Sequence, residues 1–347
     1  MQRTAIFYAL ASAALFGAST PLAKLLVGEV QPLALAGLLY LGSGIGLLAW
    51  FLLRKREKRA TNLSRADLPW LAGAILAGGV VGPALLMYGL TRTDGATASL
   101  LLNLEAVLTA SIAWIVFREN VDRRVFLGMV AIVAGGVVLS WDEMPRGGGL
   151  AGPLLIAGAC LAWAIDNNLT RRVSGGDAVT IAGVKGLVAG AANLSLALFQ
   201  GAALPGTGIL ASAAAVGLFG YGISLVLFVV ALRNLGTART GAYFSVAPFF
   251  GAALALLVLR ESASAAFWIA AALMALGVWL HLTERHEHEH VHEPMEHTHP
   301  HAHDDHHQHG HGFAWQGDEP HTHPHRHRRM THSHPHYPDL HHRHDHG

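Results

Sequence analysis

The feature that most limits what this chain can fold into is a succession of long apolar stretches broken by short charged or glycine-proline segments. A helix crossing a hydrocarbon layer of about 30 Å needs about 20 mostly apolar residues. Ten such stretches are present, at about residues 4–26, 32–53, 68–91, 94–117, 125–141, 150–173, 178–199, 209–232, 237–259 and 263–282. The expected fold class is therefore all-α, a polytopic membrane protein of ten transmembrane helices. Composition agrees: 52% of the 347 residues are hydrophobic and 14% charged, where a soluble domain carries about a quarter charged residues. Arg3 and the apolar run Ala5 to Phe16 resemble a secretory leader, but the spans that follow make a retained first helix the expectation.

Orientation follows from lysine and arginine, which gather in cytoplasmic loops. Arg54, Lys55, Arg56, Lys58, Arg59 and Arg65 crowd the loop after the second span. Counting from that loop puts Arg118, Arg123, Arg124, Arg171, Arg172, Arg233 and Arg239 inside, and leaves mainly Arg92, Arg146 and Arg260 outside. Both termini are then cytoplasmic, and the expected location is the inner (plasma) membrane.

An internal repeat organises the body. Gly89–Glu119 aligns without a gap on Ala231–Glu261, each copy closing on an Arg-Glu pair, Arg118-Glu119 or Arg260-Glu261. Five spans per copy is an odd number, so the second copy enters the membrane upside down relative to the first. The expected organisation is two inverted five-helix repeats, residues 1–141 and 150–282, followed by a disordered, histidine-rich cytoplasmic tail, residues 283–347.

These residues resemble the EamA-type members of the drug/metabolite transporter superfamily over about residues 4–282. The resemblance is carried by Leu15-Phe16-Gly17, by Phe117-Arg118-Glu119-Asn120 with Gly128 and Gly135-Gly136, and by Val246-Ala247-Pro248 with Arg260-Glu261. It implies an alternating-access carrier with its cavity between the halves, often an exporter of small metabolites. One departure is Ala106, where the family often has the proline that the second copy keeps as Pro248. The fourth helix is accordingly expected to be straighter than the ninth.

Ionisable groups within spans are costly and so are candidates for function. Glu105 lies about eleven residues into its span, roughly 16 Å deep, where it faces a cavity or is protonated. With Asn103 and Thr109 nearby it is a candidate to bind a polar substrate or to carry a coupling proton; a neutral carboxylic acid bonded to a neighbouring helix is the structural alternative. Asp166 and Lys185 flank Ser174-Gly175-Gly176 at similar distances and are expected to form an ion pair across the hairpin, in a structural or a substrate role. Asn167 and Asn168 beside Asp166 favour cavity lining. Lys24, near the outer end of the first helix, is expected to snorkel to the interface. Gly42, Gly44 and Gly46 fit close helix packing. Cys160 is alone, which excludes an internal disulfide framework. No Walker-type Gly-Lys-Ser run and no nucleophile-base pair is present, so an enzyme is not indicated and no cofactor is required.

The tail has its own chemistry. All 24 histidines lie at or after His281. His286, His288, His290 and His292 alternate with mostly acidic residues, and His297, His299, His301 and His303 repeat the spacing. Neutral imidazoles on a flexible chain bind divalent Zn, Ni, Co or Cu. Five arginines against eleven acidic residues from Thr283 onward leave an anionic segment, which suits cations and not nucleic acid.

The leading functional expectation is a carrier exporting a small organic metabolite, coupled to proton movement, with a metal-binding tail. The alternatives are a divalent-metal efflux carrier and a non-transporting metal sensor. Expected partners are the lipid bilayer, a small-molecule substrate, divalent metal ions at the tail and a second copy of the chain in a homodimer.

Overall fold

The structure is a computed structural model that describes residues 2–53, 67–117, 122–143, 149–173, 178–235, 237–283, 287–292, 296–301, 321–326 and 330–335. The basic cluster Arg54 to Arg65, the Arg118-Glu119 pair, Arg146, and the Ser174-Gly175-Gly176 turn lie outside the described residues. The chain divides into two units, Met1–Thr283 and Glu284–Gly347.

Among its described residues the first unit is helical throughout. Its helices are α1 (Gln2–Val27), α2 (Pro32–Leu53), α3 (Leu68–Ala74), α4 (Gly82–Leu90), α5 (Gly95–Leu101), α6 (Leu104–Phe117) and α7 (Arg123–Glu143). Then follow α8 (Ala151–Val173), α9 (Ala178–Phe199), α10 (Thr207–Gly217), α11 (Ser224–Leu235), α12 (Thr237–Phe244), α13 (Ala247–Leu254) and α14 (Ala265–Leu282). Wider π-helical turns join α3 to α4 over Ile75–Val81, join α10 to α11 over Leu218–Ile223, and follow α13 over Ala255–Leu259.

Eight helices are long and apolar enough to cross a membrane: Arg3–Val27, Pro32–Trp50, Leu68–Leu90, Gly95–Val116, Arg123–Trp141, Val179–Phe199, Thr207–Ala231 and Ala265–Leu282. Two of the ten expected spans fall short for chemical reasons. In α8 the run Asp166-Asn167-Asn168 interrupts the apolar sequence. Over 237–259 the helix is in pieces, α12 and then a shorter apolar helix, Ala247–Leu259, with Pro248 in the first turn of α13. Proline fits there because an opening turn leaves its N–H without an intrahelical partner.

The expectation of a straighter fourth helix is not met. Its α5 and α6 are separated by a turn at Leu102-Asn103 although no proline is present. At an offset of 142 residues this turn coincides with the break between α12 and α13. The first two π segments coincide at the same offset.

Glycines set the closest helix packing. A Cβ added to Gly44 in α2 would lie 2.5 Å from the backbone nitrogen of Leu187 in α9, and one added to Gly277 in α14 would lie 2.6 Å from the carbonyl oxygen of Gly128 in α7. Only hydrogen at Cα admits such an approach, which gains dispersion contact where lipid removes the hydrophobic drive between helices. Along α2, Gly37 meets Leu194 while Gly44 meets Gly186, so α2 and α9 run antiparallel. Helix α7 meets α14 in the same sense, with Gly128 against Gly277 and Gly135 against Ala270. Gly42 and Gly46 face Ala214 and Leu218.

The second unit was expected to be disordered, yet its described residues form four strands: β1 (Glu287–His292), β2 (Glu296–His301), β3 (His321–Arg326) and β4 (Met330–Pro335). Strand β1 pairs antiparallel with β4, and β2 with β3. The alternation of histidine with other residues has a period of two, which is the period of a strand.

Candidate functional site

The break in the fourth helix builds the start of the site. Where α5 ends, the Leu102 N–H donates to the Ser99 carbonyl, that of Asn103 to Leu100, and that of Glu105 to Leu102, at 3.3, 3.0 and 3.1 Å. These bonds span three residues, so the chain tightens before restarting as α6. The Asn103 side chain donates to the Leu100 carbonyl at 2.9 Å and lies 3.7 Å from Met274 Sδ, almost fully buried. Asn103 therefore stabilises the break and does not join the cluster around Glu105.

Glu105 stands in the first turn of α6. A carboxylate is favoured there because the unpaired N–H groups of a new helix carry partial positive charge. Its Oε1 accepts a hydrogen bond of 2.8 Å from Asn167 Nδ2 of α8, and the same amide lies 3.4 Å from Thr109 Oγ1. The adjacent Asn168 donates to the carbonyls of Thr109, at 3.3 Å, and Ala164, at 2.8 Å. The expected trio Glu105, Thr109 and Asn167 thus meets between α6 and α8, with Asn167 exposed.

The expected ion pair is present. Lys185 Nζ of α9 donates to both carboxylate oxygens of Asp166, at 2.5 and 2.7 Å. Thr170 Oγ1 donates to Asp166 Oδ1 at 2.8 Å, and Lys185 reaches that hydroxyl at 3.3 Å. Asp166 is 7% exposed. Buried in this way the pair is neutral as a unit and each partner depends on the other. Glu105 lies within electrostatic range of both charges.

Several participants were not anticipated. Tyr40 Oη and Trp163 Nε1 both donate to the Gly78 carbonyl, at 3.0 and 2.9 Å, and Asn193 Nδ2 donates to the next carbonyl, Gly79, at 3.1 Å. Both carbonyls lie in the first π segment, whose wider winding departs from the α pattern of backbone bonds. Rings gather beside it: Tyr40 and Tyr221 have centroids 5.5 Å apart, Phe16 lies 6.0 Å from Tyr221 and 5.3 Å from Phe244. The signal available for this region was the Gly78-Gly79 pair and, 142 residues on, Gly220.

Two capping contacts also escaped the sequence. Lys24 was expected to snorkel to the interface, but its Nζ donates to the carbonyls of Leu90, at 2.5 Å, and Thr93, at 2.8 Å. The end of α4 leaves carbonyls without helical partners, and an ammonium satisfies them in place of the distant headgroups. The Glu261 carboxylate accepts from the N–H groups of Gly95 and Ala96, at 2.7 Å each. It joins the second copy to the first turn of α5.

Among the described residues no three side chains of His, Cys, Asp or Glu come together as a metal site. Of the expected metal-binding residues, His288, His290, His292, His297, His299 and His301 lie on strands, while His286 and His303 fall outside the described residues.

Comparison with known proteins gives a consistent picture. The EamA-like transporter family matches residues 3–141 and, a second time, residues 150–283. A protein of Methanothermobacter thermautotrophicus described as an uncharacterized transporter is 31% identical over 284 residues, covering 76% of this chain and 82% of its own. A solved crystal structure superposes with a TM-score of 0.60 at 21% identity, over 80% of this chain and 95% of the other, which marks a shared fold.

Proposed function

The chain belongs to the EamA-like transporter family and is a multi-pass membrane transporter; on that premise we propose that it is an alternating-access carrier exporting a small organic metabolite in exchange for protons. The observation that carries this reading is Glu105, an intramembrane carboxyl bonded to an exposed amide, Asn167, where a broken helix restarts. Interrupted helices place partial charges and free polar groups near the bilayer midplane, where carriers bind substrates and coupling ions. Asp166 is already neutralised by Lys185, so Glu105 is the carboxyl left to take up and release a proton.

We read the body as ten crossings in two inverted five-helix repeats. The antiparallel packing of α2 on α9 and of α7 on α14 supports this, as do the matching breaks and π segments. In this arrangement both termini are cytoplasmic, at the inner membrane, and the tail binds divalent metal as an accessory element. The tail also gives a rival its basis, a divalent-metal efflux carrier. Against that rival, the body near the site offers Glu105 and the engaged Asp166 as ligands, and a soft or borderline metal prefers several imidazole or thiolate donors.

The test is flux in proteoliposomes under an imposed pH gradient, screened across small organic metabolites and divalent metals. Gradient-driven flux of an organic compound, lost in Glu105→Gln, is the expected result. Flux of metal alone would favour the rival, and no flux of any kind would point to a metal-sensing protein. Unchanged pH dependence in Glu105→Gln would remove that residue from the coupling.

A further inference from the structure

We propose that His297, His299 and His301 of β2, together with His321, His323 and His325 of β3, form one divalent transition-metal site shared between the two strands. The proposal rests on the metal affinity of the tail given above and identifies the ligands that build it. The register sets His297 opposite His325, His299 opposite His323 and His301 opposite His321. Because alternate residues of a strand share a face, all six imidazole-bearing positions fall on one face of the ribbon. Glu296, Thr298, Pro300, Thr322, Pro324 and Arg326 occupy the other.

Directly opposed positions in an antiparallel pair have β carbons about 4.5–5.5 Å apart, and diagonal positions about 7–8 Å apart. Those spacings suit imidazole nitrogens converging to about 2.0–2.1 Å from one ion. A single strand offers its histidines only in a row, whereas two strands offer pairs, and two adjacent pairs supply the four donors of a tetrahedral centre. Ribbon β1–β4 repeats the device, with His288 opposite His334 and His290 opposite His332. Spacing within the sequence pointed to the histidines up to His303; the strand register adds His321, His323 and His325. An all-nitrogen donor set selects Zn²⁺, Ni²⁺ or Cu²⁺ over Mg²⁺ or Ca²⁺.

The experiment is isothermal titration of the full-length chain in detergent micelles with Zn²⁺, and with Mg²⁺ for comparison. One variant carries His297→Ala, His299→Ala and His301→Ala, a second carries His321→Ala, His323→Ala and His325→Ala, and a third carries all six. Changes outside the ligand shell already weaken metal sites roughly 10–100-fold, so each triple variant is expected to weaken the tight Zn²⁺ step by about tenfold or more. The sixfold variant should add little, because both triples disable the same centre. The shared site is overturned if the two triples remove separate binding steps whose losses add, or if the tight step survives in the sixfold variant. A wild-type chain with no saturable Zn²⁺ step would overturn the tail's metal affinity itself.

Discussion

Asn167 reaches across from α8 to place its amide nitrogen 2.8 Å from the Glu105 carboxylate, so the carboxyl of one helix is held by a neutral donor of another. An amide stabilises either protonation state of its partner, because it offers both a donor and an acceptor. A carboxyl held by a cation would lack that freedom. Replacing Glu105 with Gln keeps the size and an acceptor for Asn167 while removing the proton. We expect Glu105→Gln to unfold within a few degrees of the wild type while proton-gradient-driven flux falls by about tenfold or more, in keeping with the weight of positioned acid-base groups. Thermal unfolding and flux, measured on one preparation, separate the two effects.

Lys185 and Asp166 depend on each other. Removing one partner of a buried pair costs about 3–5 kcal/mol, because the other charge stays behind. Lys185→Met should therefore lower stability sharply, and the exchange of Asp166→Lys with Lys185→Asp should recover much of it. A double-mutant cycle by denaturation in micelles gives the coupling. Full recovery of stability and flux in the exchanged protein identifies the pair as structural, whereas recovered stability without flux gives its charges a direction that the substrate reads.

The Glu261 carboxylate closes the amino terminus of α5 from the other copy of the repeat. Caps of this type contribute about 1–2 kcal/mol, and charged acceptors stand at the upper end. Glu261→Ala should lose that amount and Glu261→Gln less, since a Gln oxygen still accepts one of the two bonds. Equal stability of the wild type and Glu261→Ala would show that the contact contributes nothing.

Close packing gives a steric prediction. A methyl group at Gly277 would meet the Gly128 carbonyl at 2.6 Å, whereas nothing lies within 4 Å of one at Gly208. Overpacking typically costs about 1–3 kcal/mol. Gly277→Ala should therefore lower the unfolding temperature, and Gly208→Ala should leave it unchanged or slightly raised. Equal behaviour of the two would mean that α7 and α14 can separate without penalty.

Much of this architecture was legible because the bilayer writes plainly into sequence: length and hydropathy locate the helices, and an offset of 142 residues reveals their repetition. Glu105, Asp166 and Lys185 stood out because charge inside a span is rare. What stayed hidden depends on partners brought from elsewhere in the chain. Asn103 looks like a ligand until its amide is seen on the Leu100 carbonyl, and Lys24 looks like an interfacial anchor until α4 ends beside it. The fourth helix breaks without proline because a side-chain amide and bonds spanning three residues stabilise the turn, which no local propensity announces.

The π segments at Ile75–Val81 and Leu218–Ile223 also alter how each span is to be read along its length. One residue of extra winding turns everything downstream by about 100° relative to a regular α-helix. A helical wheel drawn through the whole span would therefore assign Leu86 and Met87, both fully buried, to the wrong azimuth. Deleting a single residue at Gly78 would rotate that half of the helix out of phase with its neighbours while leaving its composition almost untouched.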